Sequence, residues 1–109
     1  MGKFEINTDT SDKYRFNLKA TNGQVILSSQ GYTTKSACEN GIDSVKKNAQ
    51  DDAMFERNTA KDGSPFFNLK SSNGQVIGTS EMYSSTSAME TGIASVKSNA
   101  PDAAIVDNS

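Results

Sequence analysis

Sliding the chain against itself by 51 positions aligns Lys3 to Ala53 with Met54 to Ala104 without a gap. Roughly half of the aligned positions match, the mark of a tandem duplication. The densest matches are "FNLKATNGQVI" with "FNLKSSNGQVI" and "SACENGIDSVKKNA" with "SAMETGIASVKSNA". A unit of about fifty residues buries too little surface to be stable alone, so the copies must share a core. The connection "NAQDDA" is too short and polar for an independent linker. Residues 3–53 and 54–107 therefore read as two repeats of one compact, pseudo-twofold domain.

Within a unit, "KFEIN" alternates Phe4 and Ile6 with polar neighbours, and "KYRFNLKA" alternates Tyr14, Phe16 and Leu18 with Arg15, Asn17 and Lys19. Period two means half-buried strands. "QVILSS" makes a third strand, joined to the second through Asn-Gly, a pair that tolerates positive φ and forms tight hairpins. A two-residue loop would place Val25 and Leu27 on the face of Leu18, whereas a three-residue loop with Gly23 in a bulge places Ile26 there. The bulge is preferred, because Leu27 becomes Gly78 in the second copy and such a loss is easier on an outer face than in a core.

Helices are expected over Lys35 to Asn48 and Thr86 to Asn99. Ser36 to Glu39 and Ser87 to Glu90 fit the S-x-x-E capping pattern, with Thr34 and Ser85 as competing caps. Ala37, Gly41, Ile42, Val45 and Ala49, repeated as Ala88, Gly92, Ile93, Val96 and Ala100, form the apolar stripe that should lie on the sheet. Mid-helix glycine costs ~1 kcal/mol relative to alanine, which close approach to the sheet would offset. The fold class is α+β: one composite, mostly antiparallel sheet with both helices on one face. The "AIVDNS" tail echoes "AMFERN", so a short extra strand is expected near Ile105 and Val106.

Composition narrows function by exclusion. Eleven Lys+Arg against thirteen Asp+Glu, with no basic run, argue against a generic polyanion binder. No histidine is present, which removes Ser-His-Asp and Cys-His catalysis and His-ligated metal. The single cysteine permits no intramolecular disulfide, the N-terminus lacks a signal-peptide core, and no apolar run approaches the ~20 residues of a membrane span. A cytoplasmic location, without membrane attachment, is expected.

Together, F-x-L-K, N-G-x-x-I, a tyrosine before the helix and then N-G-I-x-S-V or T-G-I-x-S-V resemble the YegP-like family of small uncharacterised bacterial proteins in its duplicated form. The resemblance spans essentially the whole chain. It implies tandem β3-αβ repeats that build one sheet and exchange their last strands, so that Ile105 and Val106 return to the other copy. It carries no enzymatic activity, ligand or catalytic motif, and no cofactor.

Residue by residue, the candidates for chemistry are few. Cys38 aligns with Met89 on the helix stripe and reads as a small buried hydrophobe. No spacing supports a Ser-Lys pair, Glu39 and Glu90 read as capping residues, and the Asn-Gly turn lacks the pattern of a phosphate loop. Catalytic residues and metal ligands are therefore assigned to none. Tyr32 and Tyr83 precede the helices and are expected to pack against the helix starts with their hydroxyls in water. The outer sheet face recurs as Asn17 and Lys19 with Asn68 and Lys70, beside an outward Val25 or Ile26. A doubled surface of this kind is either the solvated face of an antiparallel sheet or a groove that suits a peptide, an oligonucleotide or a twofold-symmetric protein partner, with a protein or peptide preferred. The expectation is a monomeric, non-enzymatic binding module. The alternative is a small-ligand protein or enzyme with a site between the repeats using Tyr32, Tyr83 or a lysine, and single-stranded nucleic-acid binding ranks below both.

Overall fold

A computed structural model describes residues 2–109. Each repeat contributes three strands and a helix: β1 (Lys3–Thr8), β2 (Tyr14–Lys19), β3 (Val25–Ser28) and α1 (Lys35–Asn48), then β4 (Phe55–Thr59), β5 (Pro65–Lys70), β6 (Val76–Thr79) and α2 (Thr86–Asn99). A last strand, β7 (Ala104–Asp107), follows. The strands form one sheet in the order β4-β5-β6-β3-β2-β1-β7, antiparallel throughout except where β7 runs parallel to β1. The fold class, helix positions and returning strand all match the expectation.

Ala20 N–H donates to the Gln24 carbonyl and Gly23 N–H to that of Ala20, closing a three-residue loop with Gly23 at φ 85°. Gly74 repeats this at φ 86°, a region that glycine enters without steric cost. A second bulge then changes the outcome expected for β3. Lys19 pairs with Val25 but Leu18 pairs with Leu27, so Ile26 is an extra residue. The side chains of Ile26 and Leu27 are both buried, and Val25 alone stands beside Lys19. Leu27 is thus a core residue, contrary to the outer-face assignment, and its replacement by Gly78 has a different cause. A Cβ on Gly78 would fall 2.7 Å from Leu27 Cδ2 and Cγ. The two positions share one space near the pseudo-twofold axis, and it holds one leucine.

At this axis β3 and β6 pair only through Ser28 and Thr79. Cohesion across the seam comes from the helices: α1 packs on β2, β5 and β6, and α2 on β5 and β3. Beneath them lies one apolar cluster built from both halves, with Phe4 edge-on to Phe16 at 5.7 Å and Phe55 edge-on to Phe67 at 5.6 Å. Thr34 and Ser85 cap the helices, each hydroxyl accepting at 3.0 Å from the backbone N–H three residues on. The S-x-x-E boxes are not used, because both helices begin one residue before Ser36 and Ser87. The mid-helix glycines also need correction. Their nearest neighbour is a tyrosine: a Cβ on Gly41 would meet Tyr32 Oη at 2.5 Å, with Phe16 of the sheet behind it at 3.1 Å.

The halves differ most at their outer edges. β7 covers β1 and buries Ile6 completely, whereas β4 ends the sheet and carries Arg57 at the equivalent position. Arg57 donates to both carboxylate oxygens of Glu90, at 2.6 and 3.0 Å, and to Asp52 at 3.2 Å. A charged side chain turned towards the helix layer opposes edge-to-edge pairing. Arg57→Ile is therefore expected to make the chain self-associate. Sedimentation should show a mass that rises with concentration up to about 100 µM, and an unchanged single species would refute this role.

Candidate functional site

The register aligns polar residues in one row across six strands on the sheet face away from the helices. Glu56 pairs with Asn68, Asn68 with Thr79, Thr79 with Ser28, Ser28 with Asn17 and Asn17 with Glu5. The row, Glu-Asn-Thr-Ser-Asn-Glu, mirrors carboxylate, amide and hydroxyl about its centre and spans roughly 24 Å at the usual strand spacing. Ser28 donates to Asn17 Oδ1 and Thr79 to Asn68 Oδ1, both at 2.8 Å. At the ends Lys19 lies 2.8 Å from Glu5 and Lys70 lies 2.7 Å from Glu56, with Lys3 adding to Glu5 at 3.3 Å.

These contacts set the electrostatics. Hydrogen bonds from Lys19 and Lys3 hold the Glu5 carboxyl below its usual range. Lys70 first, then Asn58 and Asn68, lower that of Glu56 to about 2. Lys19 and Lys70 are therefore paired cations, and the row ends close to neutral. That weakens any attraction for a phosphate backbone, which depends on excess positive charge. Asn17 Nδ2 has no protein acceptor among the described residues, so an amide donor faces outward near the centre.

The structure thus brings Asn17, Lys19, Asn68 and Lys70 onto one surface. Sequence reasoning missed Glu5, Glu56, Ser28 and Thr79 there. The repeated Phe-Glu of β1 and β4 was the available signal, since a glutamate between inward residues must face the other side.

Tyr32 and Tyr83 lie elsewhere, on the helix side and in opposite halves. Their rings stack on Phe16 and Phe67 at 6.3 Å and reach the middle of each helix at Gly41 and Gly92, not its start. Burial raises both phenols above their ordinary range. Tyr83 borders a cleft of about 210 Å³ between the first hairpin and α2; Tyr32 does not line it, and neither does any lysine.

Cys38 is fully buried, and desolvation pushes its thiol up to about 11, the reverse of what an activated nucleophile needs. Among the described residues, no group of three or more acidic or cysteine side chains could hold a metal ion. No described helix is long and apolar enough to cross a membrane.

The family described as "Domain of unknown function (DUF1508)" matches residues 9–56 and again 60–107. The "UPF0339 protein in ptx operon 5'region" of Stutzerimonas stutzeri is 53% identical over 106 residues, covering 97% of this chain and 96% of that protein. The solution NMR structure of yegP from E. coli, described as a protein of unknown function, superposes with a TM-score of 0.94 at 45% identity. That match covers 98% of this chain and 92% of the other. A UPF0339 protein of Shewanella oneidensis gives 0.92 at 47% identity, over 97% and 90%.

Proposed function

We propose, for a chain that belongs to the UPF0339 (YegP) family and carries its DUF1508 domain twice, a non-enzymatic role in binding a protein or peptide on the outer sheet face. The observation that carries this reading is the row of Glu56, Asn68, Thr79, Ser28, Asn17 and Glu5, which mirrors carboxylate, amide and hydroxyl about the seam. Its amides and hydroxyls offer directional hydrogen bonds, while its lysines are held by glutamates and add little net charge. A peptide laid across the strands, or a twofold-symmetric partner, meets equivalent groups on either side of the seam. Val25 and Val76, in register with Lys19 and Lys70, add apolar contact beside the row.

The test is retention of partners from a native lysate by wild type, by Asn17→Ala/Asn68→Ala and by Lys19→Ala/Lys70→Ala. Losing two hydrogen bonds of about 0.5–1.5 kcal/mol each should weaken a genuine partner about tenfold or more in the amide variant. The lysine variant should also lose affinity, because Glu56 would lose its lysine and Glu5 would keep only Lys3, making the row more anionic. Equal retention by all three proteins, or no protein retained by any, counts against the outer face.

A further inference from the structure

The two ends of the β3–β6 seam are closed differently, and the pseudo-twofold supplies an internal comparison. In one half Gln30 Nε2 reaches across the seam and donates to the Val76 carbonyl at 3.2 Å. The aligned residue in the other half is Glu81, whose carboxylate has no N–H for the corresponding Val25 carbonyl. At that end lies the cleft of about 210 Å³, bordered by Val25 and Ile26 of the first repeat and by Glu81, Tyr83, Thr91 and Ser95 of the second.

The lining is rich in acceptors. Glu81 has no lysine or arginine within salt-bridge distance among the described residues. Thr91 gives its hydroxyl proton to the Ser87 carbonyl at 3.1 Å, which leaves its oxygen to accept. Burial, reinforced by the nearby Glu81 charge, keeps the Tyr83 phenol protonated and neutral. Val25 and Ile26 border the same space. Its volume falls below the ~300 Å³ at which sites for drug-sized ligands begin, so it suits a group the size of one side chain.

We propose that this cleft binds a protonated amine or guanidinium on a short aliphatic stem, with Glu81 as counter-ion, supplying the N–H that Gln30 supplies in the other half. The cleft faces α2 and shares only Val25 with the outer face, and the proposal does not rest on that reading. Its occupant is a free small amine or a lysine or arginine side chain of a polypeptide, which present the same chemistry.

The test is an NMR titration of the 15N-labelled full chain with n-butylammonium and ethylguanidinium, with n-butanol and butyrate as neutral and anionic controls. Saturable shifts are expected at the Val25, Ile26, Tyr83 and Gly92 amides, with half-saturation on the order of 1–10 mM. Both controls should bind at least about tenfold more weakly. Glu81→Gln, which installs the residue of the other half at an exposed position, should leave the rest of the spectrum unchanged and weaken the amines by a similar factor. A capped lysine tripeptide that binds more tightly than butylammonium identifies the polypeptide source, and one that binds more weakly identifies the free amine. Absence of saturation at about 100 mM, equal shifts from butanol, or undiminished binding by Glu81→Gln overturns the assignment.

Discussion

Truncating Leu27 to alanine is expected to lower stability by about 3–5 kcal/mol, the upper part of the range for buried leucines. The residue is fully buried and fills the space that its repeat counterpart, Gly78, leaves empty. It also lies where β3 and β6 share a single paired position, so there is little sheet pairing to hold the halves together once the side chain is removed. Set against the ~5–15 kcal/mol that holds a small domain folded, such a loss is large. Filling the opposite position should also be harmful. Gly78→Ala places a methyl group 2.7 Å from two Leu27 carbons in a closed environment, which should cost about 1–3 kcal/mol. Urea denaturation checks both; a loss below about 1 kcal/mol for Leu27→Ala would remove Leu27 from the centre of the core.

The second large effect concerns the helix glycines, where two physical terms have opposite sign. Helix propensity alone predicts that Gly41→Ala and Gly92→Ala stabilise by ~1 kcal/mol each. Sterics predict the reverse. A methyl group at 41 would meet Tyr32 Oη at 2.5 Å and Cζ at 2.9 Å, and at 92 the contact with Tyr83 is closer still. Neither ring can retreat freely, because each stacks on a fully buried phenylalanine at 6.3 Å. Each substitution is expected to destabilise by a net ~1–3 kcal/mol, with Gly92→Ala the worse. Thermal denaturation gives the sign directly: a rise in melting temperature for either variant would mean that no tyrosine wedge exists.

Features that recur in both copies were the most legible in the sequence. The 51-residue shift exposed the shared core, and period-two alternation placed Phe4, Ile6, Phe16 and Leu18 inward, where they are fully buried. The Asn-Gly pair correctly located the hairpin turns with glycine at positive φ at 23 and 74, but it left the loop length open, and the Leu27 argument that favoured the bulge is one the structure overturns. What escaped depends on contacts between elements distant in sequence. The extra bulge at Ile26 is set by pairing with β2, so a strict alternation rule placed Leu27 on the wrong face. The Tyr32–Gly41 contact needs the helix in place before the space can be seen to be missing. The role of Arg57, where the first repeat has Ile6, follows only from the uncovered edge of β4. At the outer face, Asn17, Lys19, Asn68 and Lys70 were readable as a recurring pattern. Their neutralisation by Glu5 and Glu56 was not, since each ion pair joins two strands.

The repeats form one body about a pseudo-twofold axis with room for a single leucine beside it. The most direct test is the equilibrium unfolding of Leu27→Gly, Gly78→Leu and the double variant that exchanges the two residues. If the space is shared, each single change should be severely destabilising, Gly78→Leu the more so, and the exchange should recover more than half of the summed loss, a coupling well above the ~0.5 kcal/mol of independent sites. Losses that simply add would contradict the shared space, and with it the pseudo-twofold core.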